Sequence, residues 1–247
     1  MCRGDENSTL VRIRQADEPA LADLLLEGLK LLDAPQLRAF FLNPHLSESI
    51  VRRILERPDQ LQSLTVRKAL AGHRRTPLQE ALRLVPTLFW SDLIELGRDA
   101  SVRPRVRRAA HQTLLERYDA LAVGERMAIA RRAGVEMLAR VGLDPEPRVI
   151  RAMLENPRLT EGVLLGLAAG SATRPQTLAI VAASPKWSTR PEVRRMLCRN
   201  RKTPLGVLLA LLARLGKRDL EGLETLPGLH PEARRRARIL LGEDSLA

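Results

Sequence analysis

At 247 residues the chain can form one elongated domain or two compact ones. Apolar residues make up 45% but aromatics only 2%, so the core must be built from Leu, Ala, Val and Ile, a composition that favours helix over sheet. The net charge of +12 points to an acidic partner (nucleic acid, an anionic surface or an acidic protein), although an arginine-rich base composition gives the same number without any function.

Positive charge is almost all Arg; Lys occurs only at Lys30, Lys68, Lys186, Lys202 and Lys217. Cys2 and Cys198 are the only cysteines, which suggests neither a disulfide framework nor a Cys-x-x-Cys metal site. A reducing, cytoplasmic setting is expected. No run of about eighteen apolar residues is present, so membrane insertion is not expected. The polar start has no apolar core of the signal-peptide kind.

In chain order, residues 1–18 read as a flexible polar segment, followed by a single helical-repeat domain over 19–247. The period of 3.6 recurs almost throughout. In "PALADLLLEGLKLLD" (19–33) it puts Leu21, Leu24, Leu25, Leu29 and Leu32 on one face. In "PLGVLLALLARL" (204–215) it does the same for Leu205, Leu208, Leu209, Leu212 and Leu215. Prolines and polar corners punctuate the chain into about sixteen short helices, which suggests stacked helical hairpins.

Two internal matches organise the chain. "HRRTPLQEALRLVPTLFWSDLIEL" (73–96) aligns without a gap on "NRKTPLGVLLALLARLGKRDLEGL" (200–223), at an offset of 127. "LRAFFLNPHLSESIV" (37–51) parallels "IRAMLENPRLTEGVL" (150–164), at an offset of 113. Two related halves follow, about 35–118 and 148–242, with two additional helices over 119–147. The offsets differ because the second half holds an extra helix within 170–187.

The recurrent corner is Asn or His, a basic residue, Ser or Thr, and then a helix. Thr76-Pro77 and Thr203-Pro204 read as N-cap and first helical residue, and Ser47-Glu48 and Thr160-Glu161 as the same device with an acidic first turn. The basic residues Arg74, Arg75, His45, Arg158, Arg201 and Lys202 oppose the helix dipole there. Either an acidic side chain of the neighbouring repeat or an external anion offsets them.

"DASVRPRVRRAAHQTL" (99–114) and "DPEPRVIRAMLENP" (144–157) resemble HEAT/armadillo repeats. "NPRLTEGVLLGLA" and "NRKTPLGVLLALL" are similar to the corners of leucine-rich-repeat variants; the cysteines of the iron–sulfur form of those variants are missing. The resemblance implies an all-α, right-handed α-solenoid. It also implies that Asp99 with Arg107, and Asp144 with Arg151, tie adjacent repeats together.

No phosphate loop, His-Glu-x-x-His string or Gly-x-Ser-x-Gly elbow occurs, so no enzyme activity and no cofactor or metal are expected. His73 stands where the repeat has Asn200 and reads as a corner hydrogen bond. Asp92 and Asp219 recur and read as structural. Phe89-Trp90 reads as a core anchor. The expected function is a non-enzymatic scaffold for an acidic protein partner. The alternative is a basic nucleic-acid-binding solenoid; a DNA glycosylase, implied by a basic HEAT-like chain with a few aromatics, is a remote third. The candidate partner or anion contacts are Arg74, Arg75, Arg107, Arg108, Arg201, Lys202, Arg234 and Arg235.

Overall fold

The computed structural model describes residues 3–29 and 32–242; Cys2 and Lys30 lie outside them. Among the described residues there are eighteen α-helices and no strand. None of the helices is long and apolar enough to cross a membrane. The chain divides into two compact units, Met1–Arg117 and Tyr118–Ala247.

The first unit contains α1 (Arg3–Gln15), α2 (Glu18–Glu27), α3 (Ala34–Leu42), α4 (Glu48–Leu55), α5 (Pro58–Leu61), α6 (Leu64–Gly72), α7 (Leu78–Leu84), α8 (Trp90–Arg98) and α9 (Pro104–Arg117). The segment expected to be flexible carries α1, and Ile13 of that helix is fully buried where α1 packs on α3. The second unit contains α10 (Val123–Arg132), α11 (Val135–Val141), α12 (Pro147–Leu154), α13 (Glu161–Ala169), α14 (Pro175–Ala183), α15 (Pro191–Arg199), α16 (Leu205–Leu212), α17 (Lys217–Glu224) and α18 (Pro231–Leu241).

The repeat offsets are offsets between helix starts. Moving α3 and α4 by 113 residues gives the first residues of α12 and α13; moving α6, α7, α8 and α9 by 127 gives those of α15, α16, α17 and α18. The extra helix expected in 170–187 is α14, which occupies the place of the four-residue α5. The two helices expected over 119–147 are α10 and α11. They are counterparts rather than additions, because α10 packs on α12 as α1 packs on α3, and α11 packs on α13 as α2 packs on α4.

Helices stack in ladders within each unit. In the first, α1, α3, α6 and α8 pack in succession, while α2 packs on α4 and α7 on α9. In the second, α10, α12, α14, α16 and α18 form one ladder and α11, α13, α15 and α17 the other. The insertion therefore changes ladder membership. α5 is too short to occupy a rung and buries only Gln60. α14 buries Thr177, Leu178 and Val181 and takes the rung beside α12. Thus α15 joins the α11–α13 ladder, although its counterpart α6 joins the α1–α3 ladder.

The apolar registers differ from expectation at one helix. Leu21, Leu24, Leu25 and Leu29 are buried as the period requires. In α16 the buried residues are Leu208, Leu211 and Leu212, while Leu205, Leu209 and Leu215 are half-buried. This helix ends at Leu212, so Leu215 belongs to the following turn.

Candidate functional site

The corners are built from one recurring clasp. Asn43, just past α3, donates through Nδ2 to the carbonyls of Ile13 and Ala16 at 2.8 and 3.0 Å, and its Oδ1 accepts from the His45 amide at 2.7 Å. Asn156 donates to Ala130 and Ala133 at 2.7 and 3.1 Å and accepts from the Arg158 amide at 2.8 Å. Asn200 donates to Ala168 at 2.6 Å and accepts from the Lys202 amide at 2.9 Å. Each side chain thereby satisfies carbonyls left open at the end of the preceding rung and folds its own corner. His73 does the same work with a ring: Nδ1 accepts from the Arg75 amide at 3.3 Å, and the ring is hydrogen-bonded to the Phe41 backbone.

The threonines of the corners have a different role from the expected caps. The first helical amides of α7 and α16 bond to the carbonyls of Pro77 and Pro204, so proline itself is the N-cap residue and threonine lies one position earlier. Buried Thr203 instead donates its hydroxyl to the Leu197 carbonyl at 2.6 Å, and Thr173 donates to Leu167 at 2.6 Å. Ser47 is the cap that was expected, accepting from the Ile50 amide at 3.3 Å; Thr160 holds the cap position without that bond.

Three of the six basic corner residues, Arg75, Arg201 and Lys202, reach backbone carbonyls rather than acidic side chains. Arg75 donates to the Leu46 carbonyl and, at 3.1 Å, to that of Pro44. Lys202 donates to the Ser171 carbonyl. Arg201 donates to Pro227 at 3.0 Å, lying against Gly228. Arg234 donates to the Glu224 and Leu226 carbonyls, both at 3.1 Å. Arg107 is half-buried, and its charge lowers the pKa of Asp99. Arg74, Arg108 and Arg235 are exposed and have no side-chain partner among the described residues. The eight candidates therefore divide into residues tied into their own unit and a smaller exposed set. The repeat gives Arg107-Arg108 and Arg234-Arg235 similar settings: α9 packs on α7 and α8 as α18 packs on α16 and α17, and in each pair the first arginine is half-buried and the second exposed.

The expected Asp–Arg ties take other forms. Asp99 accepts from the Ser101 amide and hydroxyl at 2.8 and 2.6 Å, and these bonds are the main cause of its lowered pKa. Asp144 pairs with Arg126 at 2.8 Å and accepts from the buried Tyr118 hydroxyl at 2.8 Å; Arg151 is exposed. Burial, with Asp144 alongside, pushes the Tyr118 hydroxyl well above its usual range. Asp92 and Asp219 are structural as expected, pairing with Lys68 at 2.9 Å and with Arg195 at 3.6 Å in equivalent positions. Phe89 is 57% exposed; Leu88 is the residue that anchors that corner.

A trough of about 850 Å³ runs along α3, α6 and α8 in the first unit. A second groove, between α1 and α3, is lined by Leu10 and Arg14 and shares Arg38 and Leu42 with the trough. Leu37, Phe41, Leu96 and Val102 form the floor; Arg38, Leu42 and Arg74 stand at the edges. Sequence reasoning found Arg74 but missed Arg14 and Arg38. The signal for Arg38 was its repeat counterpart Arg151, which lines a smaller groove between α12 and α14. Among the described residues no group of His, Cys, Asp and Glu could hold a metal ion. Cys198 is buried, and that burial pushes its thiol up to about 12, so thiolate chemistry at neutral pH is disfavoured. No protein-family model, no curated protein and no solved structure matches the chain.

Proposed function

We propose that the chain is a HEAT/armadillo-like right-handed α-solenoid that works as a scaffold, binding another protein rather than transforming a small substrate. The observation that carries this reading is the trough of the first unit, whose apolar floor and exposed arginines are held on stacked helices. A repeat array of this kind offers an extended surface on rigid elements.

The corner residues support the same reading. Arg75, Arg201, Lys202 and Arg234 donate to backbone carbonyls, so half of the eight candidate cations have an internal role. That weakens the nucleic-acid alternative, which needs rows of cations available to phosphates.

The test is crosslinking in living cells followed by purification of the chain under denaturing conditions. Protein adducts that persist after nuclease treatment are expected. Adducts made up of nucleic acid would contradict the reading.

A further inference from the structure

Three arginines on successive rungs of one ladder have no internal role. Arg14 lies on α1, Arg38 on α3 and Arg74 in the corner two residues past α6. All three are exposed and lack a hydrogen bond or ion pair among the described residues. The acids of the same trough are engaged. Glu95 pairs with Lys68, and Asp99, held by Ser101, stays ionised but faces the charge of Arg107. The trough and the adjoining groove, which share Arg38 and Leu42, therefore have uncompensated positive charge beside an apolar floor. Leu42, 70% exposed, stands at its lip with nothing covering it.

Those features select among polyanions. A carboxylate can accept two parallel hydrogen bonds from one guanidinium. A single-stranded nucleic acid would match the charge but needs rings on which bases stack. The phenyl ring in this floor, Phe41, is only 7% exposed. Apolar peptide side chains, by contrast, would cover Leu42 and the floor.

The geometry points to this trough, together with the adjoining α1–α3 groove, as the docking site for an acidic, extended segment of another protein, with apolar residues between its carboxylates. This rests on the scaffold reading. Neighbouring packed helices lie about 8–10 Å apart. An extended chain advances about 3.3 Å per residue. The segment would thus present one carboxylate about every three residues, matched to Arg14, Arg38 and Arg74 in turn.

The test is fluorescence anisotropy with the full chain and a labelled synthetic peptide carrying Glu at every third position and Leu and Ala between. Its partner probe has Gln in place of Glu. At about 0.15 M salt the Glu peptide binds and the Gln peptide does not. Combining Arg14→Glu, Arg38→Glu and Arg74→Glu weakens binding by about tenfold or more with unchanged melting, and Leu42→Ser weakens it about threefold. Equal binding of the Gln peptide, or no loss in the triple variant, overturns the inference. If the Glu peptide binds but only Arg148→Glu with Arg151→Glu releases it, the docking site is wrong while the scaffold reading stands. If no peptide binds and single-stranded DNA does at the same salt, both fall.

Discussion

The Asn156 amide donates to the carbonyl of Ala130, twenty-six residues earlier, at 2.7 Å, with both residues buried. The same amide reaches Ala133, and its carbonyl oxygen holds the Arg158 amide. One side chain thus closes the end of α10 and shapes the corner after α12. Asn156→Ala should cost about 2–3 kcal/mol by leaving buried carbonyls and an amide without partners. Asn156→Asp should cost more, because it places a carboxylate against two carbonyls. Chemical denaturation measures both. Equal stability of the Asp variant and the native chain would mean that the corner, not the clasp to α10, is what matters.

His73 makes the equivalent clasp dependent on pH. Burial, followed by the charges of Arg75, Arg74 and Arg103, holds its imidazole below the usual value; the Phe41 backbone pulls weakly the other way, and the Phe41 ring lies edge-on at 6.1 Å. The unfolded chain therefore takes up this proton first, near the ordinary value of about 6.5. The neutral ring's contribution is present above that pH and declines as pH falls below it toward the depressed native pKa. His73→Asn should remove that part of the slope, giving a smaller loss of melting temperature between about pH 7 and pH 5. Parallel curves for the two proteins would contradict the role assigned to the ring.

Burial in α16 separates two neighbouring leucines. Leu212 is fully buried, whereas Leu209 is half-buried. Leu212→Asp should cost about 3–5 kcal/mol by burying an unpaired charge. Leu209→Asp should cost clearly less, because its carboxylate can turn to water. Similar losses in thermal unfolding would place the helix in a different register.

Tyr118, Asp144 and Arg126 make a buried network whose members depend on one another. Asp144 is 1% exposed and its Oδ2 receives both the tyrosine hydroxyl and the arginine guanidinium. Tyr118→Phe should cost about 1–2 kcal/mol. Arg126→Met should cost about 3–5 kcal/mol, since it strands the carboxylate. A double-mutant cycle in urea measures their coupling, and strict additivity would show that the two donors act independently.

The duplicated corners were legible because the bonds that build them run over short distances in sequence. Asx-type bonds from Asn43, Asn156 and Asn200 reach two residues ahead, and they recur wherever the letters recur. Helix starts follow the same spacing, which is why two offsets located six pairs of helices. Ladder membership was not legible. It depends on whether the segment between α4 and its following helix is long enough to make a rung, as α14 is and α5 is not. The kinship of α1 with α10 was hidden for a related reason: their letters differ, and their shared feature is the set of carbonyls they and the residues after them offer to Asn43 and Asn156. The arginines were visible as charge, but the carbonyl acceptors of Arg201 and Arg75 lie in corners twenty-six to thirty-one residues away, Pro227 and Pro44 among them. Arg14 was missed because a single exposed arginine carries no signal until the groove beside it is known, and Arg38, although marked by its counterpart Arg151, was read only as part of the repeat.

The most direct test of the central claim is titration of the full chain with short single-stranded and duplex DNA and RNA at low salt and at about 0.15 M. A protein-binding scaffold of this charge should show only weak, low-salt binding that disappears at the higher salt. Binding that survives, and falls when Arg107, Arg108, Arg234 and Arg235 are neutralised together, would contradict the scaffold reading and make nucleic acid the partner.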